Sequence, residues 1–113
     1  MSEDQPYLQH IVDAITQIEE YVTVGRDRFV TEHHWQDSVI FQLIIIGEAT
    51  KHLSADLRVR HPEVAWRSMA AMRDVLVHNY MGIDLNVVWD VAVRMLPEVK
   101  RGVESILDEE SRG

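Results

Sequence analysis

Arg73, Asp74, His78 and Tyr80 crowd into one short, otherwise largely apolar segment, Met72-Arg73-Asp74-Val75-Leu76-Val77-His78-Asn79-Tyr80. Arginine is a permanent cation whose planar fork grips phosphate through two parallel hydrogen bonds. Histidine changes charge near neutral pH and is the usual general acid or base. On a helix at about 100° per residue, Trp66, Met69, Arg73, Leu76 and Tyr80 fall on one stripe. An arginine amid apolar neighbours needs a partner, because an unpaired buried charge is costly. Asp74 and His78 are four apart, so the carboxylate can meet the ring, orient it and favour its cationic form. Arg73 and His78 are five apart, about 140° around the axis. One copy of the chain therefore struggles to aim both at one phosphate, and pairing across a two-fold axis is the natural remedy.

A purely structural reading of these residues stays open. Arg73 could bridge to an acid on a neighbouring helix, and His78 could cap a helix end near Asp74, since ion-pair networks also produce such clusters. Other candidate sites carry less. His33 and His34 are adjacent and point to different sides of a helix, and neither HxxxH nor HExxH occurs. Glu48 and His52 have the spacing of two metal ligands on one helix face, but equally that of an ordinary helix pair. No metal or cofactor is expected. No glycine-rich phosphate loop is present, so neither a P-loop nor a dinucleotide fingerprint is at hand.

The elements that must position the segment read as helices throughout. Leu8, Ile11, Ile15, Ile18 and Val22 recur at three- and four-residue intervals, predicting an amphipathic helix over 6–22, with Asp4 or Gln5 as its cap and Gly25 at its end. Residues 26–30 form a charged link with a short turn of helix. Thr31 is placed to cap a long helix in which Trp35, Val39, Leu43, Ile46, Thr50 and Leu53 keep the period. Ile40, Phe41, Ile44 and Ile45 add apolar surface on its other faces, which must also be covered, and a second subunit is a reasonable cover. Residues 54–61 read as a helix end and loop. Pro62 opens a helix that runs to about Asn79 and carries the segment of interest. Gly82 breaks it and Asp84 caps a final helix that continues, kinked, through Pro97. The tail from Asp108 is polar and expected to fray.

The expectation is therefore an all-α bundle of four to five helices, folded as one domain over residues 1–113 and paired as a two-fold homodimer. Cysteine is absent, consistent with a reducing compartment. The N-terminus is acidic, unlike a secretory signal, and the apolar runs are too short to span a bilayer. A cytoplasmic location with no membrane partner is expected. The net charge of −8 argues against a generic nucleic-acid binder. Its distribution softens that objection. Residues 1–24 hold five acids and no lysine or arginine, whereas over 51–73 Lys51, Arg58, Arg60, Arg67 and Arg73 face only Asp56 and Glu63.

The pattern Arg73-(four residues)-His78-x-Tyr80 resembles the signature of HEPN-domain ribonucleases, specifically HepT toxins of MntA–HepT toxin–antitoxin pairs. The likeness extends over nearly the whole chain. It takes in Tyr7 to Tyr21, the run Ile45-Ile46-Gly47-Glu48-Ala49-Thr50-Lys51-His52-Leu53-Ser54, the approach Pro62-Glu63-Val64-Ala65-Trp66-Arg67, and Gly82-Ile83-Asp84 with Trp89 and Leu96-Pro97. Position 65 is alanine where proline would be expected, which bears on loop stiffness rather than chemistry. The resemblance implies a HEPN-type bundle and a metal-independent endoribonuclease toxin of a type VII-like system, working as a homodimer on RNA. Arg73 and His78 would be catalytic, with Asp74 in support. It further implies that an MntA-like nucleotidyltransferase antitoxin places AMP on Tyr80. The alternative is a non-catalytic helical module that only holds the nucleotidyltransferase.

Overall fold

The computed structural model describes residues 3–112, and every regular element in them is helical. Four long helices, α1 (Gln5–Tyr21), α3 (His33–His52), α5 (Trp66–His78) and α7 (Leu96–Arg112), form the bundle. Three short ones, α2 (Arg26–Thr31), α4 (Ala55–Arg60) and α6 (Leu85–Asp90), sit in the connections. The expected all-α architecture holds.

Helix α3 is the centre. The isoleucine-rich segment that has strand-like residue types is helical because its apolar residues have partners on both sides: α1 packs along one flank and α5 along the other. Leu8, Ile11, Ile15 and Ile18 of α1 meet Val39, Leu43 and Ile46 of α3, all of them buried, and α7 closes the far side of α1 through Val99, Val103 and Ile106. Each such aliphatic side chain contributes about 1.5–3 kcal/mol of transfer free energy. Most of the apolar excess of residues 39–46 is thus absorbed inside one chain. Phe41, 61% exposed, is the large residue of that run left facing out.

Several local expectations are corrected. Thr31 does not cap α3; it closes α2, its hydroxyl donating back to the Asp27 carbonyl at 2.8 Å, and Glu32 occupies the cap position. Asp4 stands at the cap of α1, but its carboxylate crosses to α4. There it accepts from the Ser54 amide and hydroxyl, both at 2.7 Å, while the Ser54 hydroxyl accepts from the Leu57 amide. That chain of bonds makes a helix, α4, where a loop was expected. α5 begins at Trp66 rather than Pro62, after a turn in which the Trp66 indole donates to the His61 carbonyl at 2.8 Å.

Gly25 links α1 to α2 with φ +92°, a left-handed conformation that glycine adopts at little cost. Asp84 caps α6 as expected, accepting from the Asn86 and Val87 amides. The kink expected at Pro97 takes the form of a wide π-type turn over Val91–Met95, directly before α7. Pro97 has no amide hydrogen and its ring crowds the carbonyl four residues back, so loosening the preceding turn is the less costly solution. The tail does not fray at Asp108: α7 runs through Arg112.

Candidate active site

The motif segment forms the second half of α5 and the turn after it, beside α3. Their approach depends on Gly47. A Cβ there would stand 2.2 Å from the Cβ of Arg73 and 2.9 Å from the Met69 carbonyl oxygen, inside any tolerable contact. Glycine lets the two backbones close up at the one place where α5 carries its arginine.

Arg73 is partly buried, its side chain 23% exposed. Its Nε forms an ion pair with Glu48 on α3, and its Nη1 donates to Asp74 at 3.1 Å. The Glu48 contact neutralises charge without hydrogen-bond alignment, so the Nε–H itself stays unsatisfied. Lys51, one turn beyond Glu48, reaches the same Asp74 carboxylate. The Lys51 hydrogen bond, then that of Arg73, holds the Asp74 carboxyl below the usual aspartate range. Glu48, Arg73, Asp74 and Lys51 thus form a charge-balanced chain along the α3–α5 seam. Part of the structural reading is true: Arg73 does bridge to an acid on a neighbouring helix.

Asp74 turns to Lys51 and Arg73, and the expected contact with His78 is not made. His78 is the last residue of α5, exposed, with no hydrogen-bond partner among the described residues. The helix is regular between Arg73 and His78, so the two diverge around its axis as their spacing requires.

The stripe through Tyr80 also needs correction. Asn79 leaves the helix with φ −132° and ψ 46°, and residues Tyr80–Gly82 make a single 3₁₀ turn. Tyr80 is 56% exposed and its hydroxyl donates to Asp37 of α3 at 3.1 Å. That hydrogen bond, followed by the charge of Asp37, raises the phenol above its ordinary range and keeps it protonated. Asp37 and Glu48 lie on one stripe of α3, about 16 Å apart along its axis. Arg73 and Tyr80 are therefore anchored at well-separated points of the same helix.

The motif occupies open surface. Depressions of about 570 and 740 Å³ lie beside Arg58 and Arg67 and beside Tyr7 and His52, and neither is lined by Arg73, His78 or Tyr80. Val75, Val77, Tyr80 and Met81 (95% exposed) instead present apolar surface around His78. Among the described residues, no three histidine, aspartate or glutamate side chains come together as a metal-binding group. Glu48 pairs with Arg73, and His52 stacks on Tyr7 with ring centroids 5.0 Å apart. No helix of the described residues is long and apolar enough to cross a membrane.

Sequence reasoning missed Gly47, Glu48, Lys51 and Asp37 as members of the site. The available signal was a mixed stripe of α3, on which the charges of Asp37, Glu48 and Lys51 interrupt Phe41 and Ile44.

The all-helical bundle of the described residues is the architecture of a HEPN-type ribonuclease. Residues 11–106 match the model of the family described as Ribonuclease HepT-like, and the chain belongs to that family. It is similar to the protein named Probable ribonuclease HepT of Thermococcus cleftensis, with 40% identity over 88% of this chain and 92% of that one. A protein of Caldanaerobacter subterraneus subsp. tengcongensis, whose name marks it as a candidate RNase, is 33% identical over 97% of this chain and 99% of its own length. A Methanocaldococcus jannaschii protein, named as a gamma-glutamylcyclotransferase and candidate RNase, is 38% identical over 91% of this chain; the match spans 47% of that protein. No solved structure matches the chain.

Proposed function

We propose that the chain is a metal-independent endoribonuclease toxin whose working unit is a two-fold pair. The observation that supports this most is the divergence of Arg73 and His78 on a regular helix that lies on open surface. Two copies facing each other through Val75, Val77 and Met81 would bring both motifs to one cleft, and closed two-fold dimers are the commonest small assembly.

The chemistry follows from the residue types. His78 of one copy takes the proton of a 2′-hydroxyl as its oxygen attacks the adjacent phosphorus. The P–O5′ bond breaks, and the imidazolium so formed gives its proton to the leaving 5′-oxygen. The products are a 2′,3′-cyclic phosphate and a free 5′-hydroxyl. Arg73 holds the phosphoryl oxygens as charge develops on them. Asp74 supports Arg73 rather than His78, and RNA is the substrate.

Tyr80 is the proposed acceptor of AMP from ATP, delivered by an MntA-like nucleotidyltransferase antitoxin. Its exposure favours this. Its anchorage on Asp37 puts the new phosphodiester away from the same copy's Arg73, so the AMP would act by adding negative charge and bulk at the mouth of the shared cleft. Incubation with such a partner and ATP should add AMP mass to the wild type and none to Tyr80→Phe.

The occupation of Arg73 by Glu48 and Asp74 favours a second reading, a non-catalytic module that holds a nucleotidyltransferase. Cleavage of single-stranded RNA in excess EDTA, with the ends of the products analysed, separates the two. A cyclic phosphate that disappears in His78→Ala is expected of the enzyme; intact RNA is expected of the module.

A further inference from the structure

We infer that Glu48 is a positioning residue for Arg73, a role that rests on the proposed phosphate-clamp reading of that arginine. Gly47 removes the side chain that would hold α5 off, so the Arg73 side chain leaves its own helix already in contact with α3. The next residue of α3, Glu48, meets it at Nε. Asp74 takes a donor of Nη1 from the other side, itself tied down by Lys51. The guanidinium is therefore held at two places, and Nη2 makes no hydrogen bond among the described residues. A guanidinium grips phosphate with two parallel N–H groups. With Nε facing Glu48 and one Nη1 hydrogen engaged, the second Nη1 hydrogen and those of Nη2 are left for a phosphate. Two adjacent residues of α3 thus decide how near the arginine comes and hold its Nε.

An ion pair with one partner as exposed as Glu48 adds little stability. The Glu48 side chain is 44% exposed, so its loss should leave the fold standing and move the function. A misplacement of about 1 Å in such a group can cost up to about a hundredfold in rate.

The test uses the full chain with Glu48→Ala, Glu48→Gln and Arg73→Ala, each checked for wild-type helicity and thermal midpoint. Steady-state cleavage of a labelled single-stranded RNA is read together with the arginine Nε–H resonances, with Arg73 assigned from the peak missing in Arg73→Ala. Glu48→Ala should lower kcat by about 10- to 100-fold with a smaller change in KM. Glu48→Gln, which keeps the shape without the charge, should fall between. In both variants the Arg73 Nε–H resonance should move. Glu48→Ala cleaving as fast as wild type or faster would make Glu48 dispensable or a brake, and would overturn the inference. An unmoved Arg73 resonance in both variants would do the same. If wild type fails to cut RNA but the resonance moves, the cleavage reading falls while the Glu48–Arg73 pair stands. If Glu48→Ala does not fold, the near-isosteric Glu48→Gln carries the same comparison.

Discussion

The two flanks of α3 are built on different principles. Toward α1 it presents Val39, Leu43 and Ile46 to Leu8, Ile11, Ile15 and Ile18, a seam of interlocking aliphatic side chains sealed from water. Toward α5 the approach is set by a glycine, and the polar groups beside it are an ion-paired chain of Glu48, Arg73, Asp74 and Lys51. The first flank supplies stability and asks only for apolar volume. The second supplies little stability, since exposed charge pairs rarely do, and requires particular residues at particular places. A helix can thus carry core on one side and a site on the other, with the core holding the helix still for the site.

The contrast is broken most severely from the apolar side. Ile15→Ala empties a fully buried position and should cost about 2–5 kcal/mol, read as a lower denaturant midpoint at unchanged slope. Gly47→Ala comes next. The added methyl would collide with Arg73 and with the Met69 backbone, so α5 must move, at about 1–3 kcal/mol for overpacking less about 1 kcal/mol of gained helix propensity. RNA cleavage should fall further in this variant than in Ile15→Ala assayed below its melting point. Equal losses in the two would erase the distinction between the flanks.

Lys51→Met sharpens the comparison through pH. Asp74 has a folded value below that of the free side chain, chiefly because of Lys51, so its contribution is present above about pH 4 and fades as pH falls through the depressed folded value. The small difference in thermal midpoint between wild type and Lys51→Met should therefore shrink in acid; a difference that grows below pH 4 would contradict the sign. The weakest effect is at Tyr80. Its raised phenol keeps the Asp37 hydrogen bond below about pH 10 and loses it as pH climbs through the folded value. The ultraviolet phenolate titration of wild type minus Tyr80→Phe should have its midpoint above that of free tyrosine, and Asp37→Asn should bring it down.

The same contrast explains what could be read in advance. The apolar stripe of α1, the Asp84 cap and the bend near Pro97 follow from local rules: a period, a carboxylate before a helix, a missing amide. Ser54 starts a helix instead of a loop because Asp4, fifty residues earlier in the chain, orients its hydroxyl. Tyr80 leaves the stripe because the helix ends at His78, near the end expected at Asn79, and a stripe drawn through Tyr80 runs past that end. Glu48 looked like a partner for His52 by spacing, yet it meets Arg73, because long side chains choose among neighbours that only packing brings near. Segments that bury apolar surface are legible from period alone. The polar seam depends on how closely two helices approach, which Gly47 controls and which spacing along one helix does not express.

The central claim is that Arg73 and His78 act together on RNA although each copy of the chain turns them apart. Mixing inactive Arg73→Ala with inactive His78→Ala tests it most directly. Heterodimers of the two would hold an intact arginine from one chain and an intact histidine from the other. With excess EDTA present, cleavage should reappear in the mixture after subunit exchange, to at most a fraction of wild-type activity, and the products should carry 2′,3′-cyclic phosphate ends. Either variant cutting RNA at the wild-type rate on its own, or a mixture that stays silent while subunit exchange is demonstrated, would contradict it.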